Sequence, residues 1–247
     1  MRAESTERVI AARRGFLRTV AAAGGLALAG CATAGAASGA HAESAGEKDK
    51  EEQDKEAGEA EVTPGEDLMQ EHGVLERILL LYDEAIRRID RSEPLDVAVI
   101  VSAAKIIRSF VEDYHEKQEE QFVFPRLQAA GRETALVTVL LRQHQRGREL
   151  TDDALRLAAT GTASKELAQV LAGFQRMYRP HAAREDTVLF PAFRAVVGRA
   201  GYLDLGEQFE DKEHEIFGEH GFENAVAEVA RLETALGIAD LAKFTPL

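Results

Sequence analysis

The sequence predicts an all-α protein: an up-down-up-down four-helix bundle followed by a short C-terminal helical extension. Beyond residue 66, apolar residues recur at three- and four-residue intervals over long stretches, which is typical of amphipathic helices. Runs that alternate apolar and polar residues, as strands do, are few. Because the breaks between the long stretches are short, sequential helices are expected to be antiparallel neighbours. Residues 66–200 are therefore predicted to form the bundle, and residues 201–247 the extension.

The four bundle helices are predicted at residues 65–91, 94–130, 133–160 and 164–197. Proline or glycine stands at each break, since proline cannot continue a helix and glycine is favoured just beyond its last turn. Two shorter amphipathic helices, at residues 203–217 and 222–236, are expected to cap or flank the bundle.

Residues 1–30 are predicted to be a signal peptide. Arg13-Arg14 precede Phe16-Leu17 and an apolar run of small residues, the usual order of a charged start and a short apolar stretch. This arrangement resembles a twin-arginine (Tat) signal, although Ala12 and Arg18 depart from the usual residues. The resemblance implies export of a protein that is already folded and has already taken up its cofactor.

The segment Leu28-Ala29-Gly30-Cys31 resembles a lipobox, which implies cleavage before Cys31 and lipidation of its thiol. Cys31 is the single cysteine of the chain, so an intrachain disulfide is impossible. These two resemblances place the protein in the periplasm or cell envelope. Since no run of 18 or more apolar residues occurs in the sequence, attachment to the membrane is expected through lipid alone. Cleavage after Ala42 is the alternative.

Residues 31–65 are predicted to be a disordered acidic tether, because they hold almost no large apolar side chains. Acidic residues dominate here: residues 43–67 contain eleven acids and three lysines. The whole chain carries a formal net charge of −13. That charge argues against a nucleic-acid partner and against a polybasic membrane patch.

Two segments 66 residues apart share the order His-x-x-x-Glu-acid-x-x-x-Phe-Pro. Another histidine precedes each copy by one predicted helix. The chain thus contains two equivalent halves: His72, His115 and Glu119 in the first, and His144, His181 and Glu185 in the second.

Residues four apart on a helix differ by about 40° in direction and about 6 Å along the axis, so each His-x-x-x-Glu pair projects from one face. The flanking apolar pattern turns these faces inward. Buried carboxylates and imidazoles need a compensating positive charge. A divalent metal supplies it, and this ligand set suits iron, manganese or zinc.

With these motifs, the segment from about Leu68 to Phe193 resembles the hemerythrin and HHE cation-binding family. The resemblance implies a four-helix bundle around two iron ions joined by an oxygen bridge. It also implies a role for each of the six residues: His72, His115, His144 and His181 as terminal ligands, and Glu119 and Glu185 as bridging carboxylates.

One position departs from the family pattern. Oxygen-carrying hemerythrins have a fifth histidine four residues after the third-helix ligand, where this sequence has Arg148. We expect an open position on one metal, or its occupation by Glu116, water or another group. The expected function is binding of, or reaction with, oxygen, peroxide or nitric oxide. Iron storage, gas sensing without turnover and a metal-free structural lipoprotein are the alternatives.

Other polar residues near the motifs are interpreted structurally. Glu116 and Glu120 are interpreted mainly as surface charges, and His214 as a solvated residue of a charged run. Tyr114 and Tyr178 are expected in the core beside the ligands, where their hydroxyls orient a neighbour. Prolines near the motifs are expected to bend their helices: Pro125, Pro180 and Pro191.

Overall fold

A computed structural model describes residues 62–246 of the chain. This part is helical, and no strand occurs within it, which confirms the predicted all-α fold. The predicted signal peptide, the lipidation site Cys31 and the tether up to residue 61 lie outside the described residues.

Six helices of the described part follow one another in the chain. Helix α1 is Pro64–Arg91, α3 is Thr134–Ala158, α4 is Lys165–Arg184, α5 is Phe190–Phe217 and α6 is Gly221–Leu236. Helix α2 begins as Val97–Ile106 and continues through a π-helical segment Ile107–His115, an α-helical turn Glu116–Gln118, a second π-helical segment Glu119–Val123 and a last α-helical piece Phe124–Ala129. A further π-helical segment, Glu185–Leu189, joins α4 to α5, and a 3-10 turn, Leu241–Phe244, follows α6.

Three of the helices, α1, α2 and α4, begin where the sequence supplies a side chain to bind free backbone N–H groups. Thr63 and Glu66 form a capping box at the start of α1. The Asp96 carboxylate accepts a hydrogen bond from the backbone at the start of α2, and the Ser164 hydroxyl does the same at α4. Gly198, with φ 73°, interrupts α5 close to the predicted end of the fourth bundle helix.

Helices α1 to α4 pack as a four-membered ring, in which α1 contacts α2 and α4, and α3 contacts α2 and α4. Short connections between long helices favour this arrangement. The predicted extension packs on the outside of the ring, with α5 against α1 and α6 against α1 and α2. A buried hydrogen bond of 2.9 Å from the Gly65 N–H to the Tyr202 hydroxyl fastens α5 to the start of α1. No helix between residues 62 and 246 combines the length and apolar character needed to cross a bilayer.

Candidate metal centre

The six residues singled out by the sequence repeat lie together in the middle of the bundle. None of them is more than 6% exposed. They separate the apolar interior into two clusters, one containing Ile78 and Phe174 and the other containing Leu68 and Phe193. The bundle therefore carries one polar layer between two apolar ones.

One half of this layer is formed by α1 and α2. The Nε2 atoms of His72 and His115 are 3.0 Å apart. The Nε2 atom of His115 lies 3.8 Å from Oε2 of Glu119, and that of His72 lies 3.4 Å from Oε2 of Glu185. His72, His115 and Glu119 each offer a ligand atom within 4.8 Å of the others.

The other half is formed by α3, by α4 and by the carboxylates. The Nε2 atom of His181 is 3.1 Å from Oε2 of Glu185, and that of His144 is 3.4 Å from Oε2 of Glu119. Glu119, His144, His181 and Glu185 again place one ligand atom each within 4.8 Å. Glu119 belongs to both groups, which is the position required of a carboxylate that bridges two ions.

All four histidines are held by a hydrogen bond at the nitrogen that faces away from the centre. In each case a side-chain oxygen accepts from Nδ1, so Nε2 is the ring nitrogen that faces the centre. The four pairs are His72 with Asp186 at 2.7 Å, His115 with Glu71 at 2.7 Å, His144 with Glu120 at 3.1 Å and His181 with Gln143 at 2.9 Å.

These four acceptors repeat the internal symmetry of the sequence. Each acceptor directly precedes or follows a ligand in the chain, but it holds a histidine on a different helix. Glu71 and Gln143 precede the first histidine of each half and hold the second one. Glu120 and Asp186 follow the glutamate of each half and hold the first histidine of the other half.

The two central carboxylates, those of Glu119 and Glu185, lack hydrogen-bond partners within the described residues. None of the four carboxylate oxygens of Glu119 and Glu185 makes a hydrogen bond within residues 62–246. Burial and the neighbouring Glu185 carboxylate raise the pKa of Glu119 well above its usual value. Burial alone would lower the pKa of His72, but the hydrogen bond with Asp186 and the negative charge of the nearby Glu185 carboxylate raise it to about 9. A proton on His72 and a bound cation are thus alternative positive charges for the same carboxylate.

Each central glutamate begins a π-helical segment, and a Phe-Pro pair follows each segment. Glu119–Val123 precedes Pro125, and Glu185–Leu189 precedes Pro191. Proline lacks an N–H and clashes with the carbonyl four residues earlier, so a wider turn just before it removes the conflict. The π-helical segments lie next to the two prolines at which the sequence predicts bends. Pro180 lies inside α4 without such a segment.

Arg148, at the position of the missing fifth histidine, points away from the central carboxylates. Its guanidinium donates to Glu116 at 2.7 Å and to Glu120 at 2.8 Å. The other oxygen of Glu116 accepts from the Tyr178 hydroxyl at 2.5 Å. Glu116 lies 4.0 Å from Nδ1 of His144, on the outward side of that ring, so it is not placed as a fifth ligand.

Interpreting Glu116 and Glu120 as mainly surface charges was wrong. Glu116 is 1% exposed, and burial raises its pKa to about 8 despite the hydrogen bond from Tyr178 and the nearby Arg148 guanidinium. Glu120 is partly buried and anchors His144. His214, in contrast, is exposed as expected. Glu116 and Glu120 lie four and eight residues after Glu112, and this spacing could have indicated a buried stripe on α2, since Glu112 is also fully buried.

The arrangement fits a divalent metal. Buried carboxylates without hydrogen bonds, inward-facing imidazole nitrogens and anchored tautomers are what a cation between them would require. Carboxylate and imidazole ligands together suit iron, manganese and zinc. A third set of possible ligands consists of Glu116, Glu120 and His144. Its two carboxylates already pair with the Arg148 guanidinium, so it is not a further metal site.

Comparison with known proteins agrees with this geometry. Residues 63–193 match the model of the hemerythrin HHE cation binding domain. Uncharacterized proteins of Mycobacterium tuberculosis and Mycobacterium bovis are each 50% identical to the chain over 193 residues, which is 76% of this chain and 76% of the relative. No solved structure matches the chain significantly.

Proposed function

The chain belongs to the hemerythrin HHE cation-binding family, and from this premise we propose that it binds two iron ions and reacts with a small oxidant. The six ligands are His72, His115, His144 and His181 as terminal groups and Glu119 and Glu185 as bridges. Oxygen, peroxide and nitric oxide are the candidate oxidants.

One observation carries this proposal. Four Nε2 atoms face two buried carboxylates that have no hydrogen bond within the described residues, and every Nδ1 is anchored. A structural polar network would pair these carboxylate oxygens with hydrogen-bond donors. Carboxylate oxygens without hydrogen bonds, faced by oriented imidazole nitrogens, are useful when a metal completes the set.

In this proposal the protein holds the metal ions, orients the ligand side chains and shields the site from water. Asp186, Glu71, Glu120 and Gln143 fix the imidazole rings. The apolar clusters on either side limit the access of water, which strengthens electrostatic interactions inside the layer. Bound iron would supply the redox chemistry toward an oxidant. The chain has arginine at position 148, where the family has a histidine ligand. We therefore propose that one ion would be free to bind an exogenous ligand.

Elemental analysis with an optical spectrum of the anaerobically purified protein tests metal binding. We expect about two iron per chain, as in di-iron bundles, and near-ultraviolet charge-transfer absorption. Glu119→Ala and Glu185→Ala should each abolish both signals. His214→Ala is the matched control, because this exposed histidine lies outside the polar layer. Iron-free wild-type protein from iron-replete cells would contradict the proposal.

Stopped-flow mixing separates reaction from binding. Reduced protein would be mixed with oxygen, hydrogen peroxide and nitric oxide in turn. Fast multiple turnover with one of them supports an oxidant-processing protein. A single stable adduct without turnover supports the alternative of gas sensing, and slow iron release without an adduct supports storage.

We also propose that the protein is exported and lipid-anchored at Cys31, on the support of the twin-arginine-like and lipobox-like residues alone. Cell fractionation after lipid labelling tests this. Cys31→Ser should remove the label and the membrane association, and replacing Arg13 and Arg14 by lysines should retain the protein in the cytoplasm. A labelled band that survives Cys31→Ser would contradict the anchor.

A further inference from the structure

The two halves of the polar layer have the same kind of central ligands. The first half contains the Nε2 atoms of His72 and His115, and the second half contains those of His144 and His181. Each central carboxylate lies between one histidine of each half: Oε2 of Glu119 is 3.8 Å from His115 and 3.4 Å from His144, and Oε2 of Glu185 is 3.4 Å from His72 and 3.1 Å from His181. A marked difference between the halves must therefore come from the groups around these ligands.

The acceptors at equivalent positions of the repeat differ in charge. Glu71 accepts from Nδ1 of His115 at 2.7 Å, whereas Gln143 accepts from Nδ1 of His181 at 2.9 Å. Glu71 is 1% exposed, so water screens its carboxylate little. A carboxylate acceptor makes an imidazole a stronger ligand for a cation, and a neutral amide does so much less. The first half thus has a stronger ligand at this position.

The other two acceptors, Asp186 and Glu120, are both carboxylates but have different neighbours. Glu120 also pairs with Lys117 at 2.6 Å and with Arg148 at 2.8 Å. Asp186 pairs with its histidine at 2.7 Å, and no lysine or arginine of residues 62–246 pairs with it. Two cations therefore offset the charge that Glu120 presents to the second half. Asp186 is itself partly exposed, so the difference between the first two acceptors is the larger one.

Arg148 adds a third difference in the same direction. It lies one turn after His144 on α3, where the oxygen carriers of the family have a further ligand. The second half therefore has one ligand fewer than in those proteins, and a guanidinium stands beside it. Less negative charge and fewer ligands both disfavour a bound cation.

We propose that the two halves bind iron unequally, His72 and His115 tightly and His144 and His181 weakly, and that the Glu71 and Gln143 acceptors set this order. The inference rests on the proposed function and adds which of its two ions is exchangeable. Changes in the groups that hold metal ligands alter affinity by about 10–100-fold, so the halves should differ by about that factor. When iron is scarce, only the first half would be filled, and filling of the second half would complete the pair.

Anaerobic titration of the metal-free full chain with ferrous iron, against a competing chelator, tests the order. The wild type should bind two ions in two steps whose dissociation constants differ by about 10–100-fold. Gln143→Glu should tighten the weaker step and bring the two steps together. Gln145→Glu is the matched control, because it adds the same charge to the same helix at an exposed position. If Gln143→Glu changes the weaker step no more than Gln145→Glu does, the inference is overturned.

Two further variants assign the steps to the halves. Glu71→Gln keeps an acceptor for His115 but removes its charge, and it should weaken the tighter step by about 10–100-fold. His181→Ala should remove the weaker step and retain the tighter one. Loss of the tighter step in His181→Ala would overturn the inference. A wild type that binds no iron refutes the proposed function itself, whereas a wild type that binds two ions with equal affinity refutes the unequal halves alone.

Discussion

Replacing Glu119 by leucine is expected to change stability in opposite directions with and without metal. In the presence of a chelator, the substitution removes a buried carboxylate that makes no hydrogen bond within the described residues. Burial and the Glu185 carboxylate disfavour its charge, as the raised pKa of Glu119 shows. With metal present, the same substitution removes a shared ligand of both groups.

The expected magnitudes follow from these two roles. An unsatisfied buried polar group costs about 1–3 kcal/mol, so Glu119→Leu should stabilise the chelator-treated protein by up to that amount. For a domain of this size, each kcal/mol changes the melting temperature by about 2–4 °C. Metal at 1,000 times its dissociation constant stabilises the wild type by about 4 kcal/mol, and the variant should lose most of this.

Calorimetric melts with chelator and with ferrous iron under anaerobic conditions measure both effects. Glu112→Leu is the matched control on the same helix. Glu112 is equally buried, but it accepts from the Thr151 hydroxyl at 2.5 Å and pairs with Arg108 at 2.9 Å. That variant should lose stability under both conditions. If Glu119→Leu behaves in the same way as Glu112→Leu, Glu119 is a structural carboxylate and the metal centre is refuted.

Three further outcomes are expected. Gln143→Leu removes the acceptor that orients the fourth-helix histidine and should weaken metal binding by about 10–100-fold in a chelator competition, with the helical circular dichroism unchanged. Gly147→Ala places a methyl group against the Tyr178 hydroxyl, where it clashes, and should lower the free energy of unfolding in urea by about 1–3 kcal/mol. Hydrogen bonds from Arg87 and Arg88 lower the pKa of Glu84 to about 2 despite burial, so its stabilising effect is full above about pH 4.5 and is lost as the pH falls toward 2. Glu84→Gln should therefore cost at most about 1 kcal/mol at pH 6 and nothing at pH 2 in denaturant titrations.

The helices and the shared face of each His-x-x-x-Glu pair could be predicted because both are local properties of the sequence. A carboxylate four residues after an imidazole must share its helix face. The 66-residue repeat then required the two faces to be equivalent. That these residues hold metal stays a prediction until metal is measured, whereas their burial in one layer is a property of the structure.

The anchoring network could not be predicted in this way. Glu71 is next to His72 in the chain but holds His115 on another helix. Adjacent residues on a helix point about 100° apart, so each acceptor reaches a neighbouring helix whose rotation the sequence does not state. The hydrogen bonds of Arg148 could not be predicted for the same reason, because its partners Glu116 and Glu120 lie across the interface between α2 and α3.

The sequence by itself determined the helical fold, the two-fold repeat and the identity of six candidate ligands, because periodicity and spacing within one helix decide which side chains share a face. Only the tertiary structure decided which nitrogen of each imidazole faces the centre and which acceptor holds it. Those features depend on the rotation and separation of packed helices. The packing of the whole interior sets these quantities, and no single segment contains them.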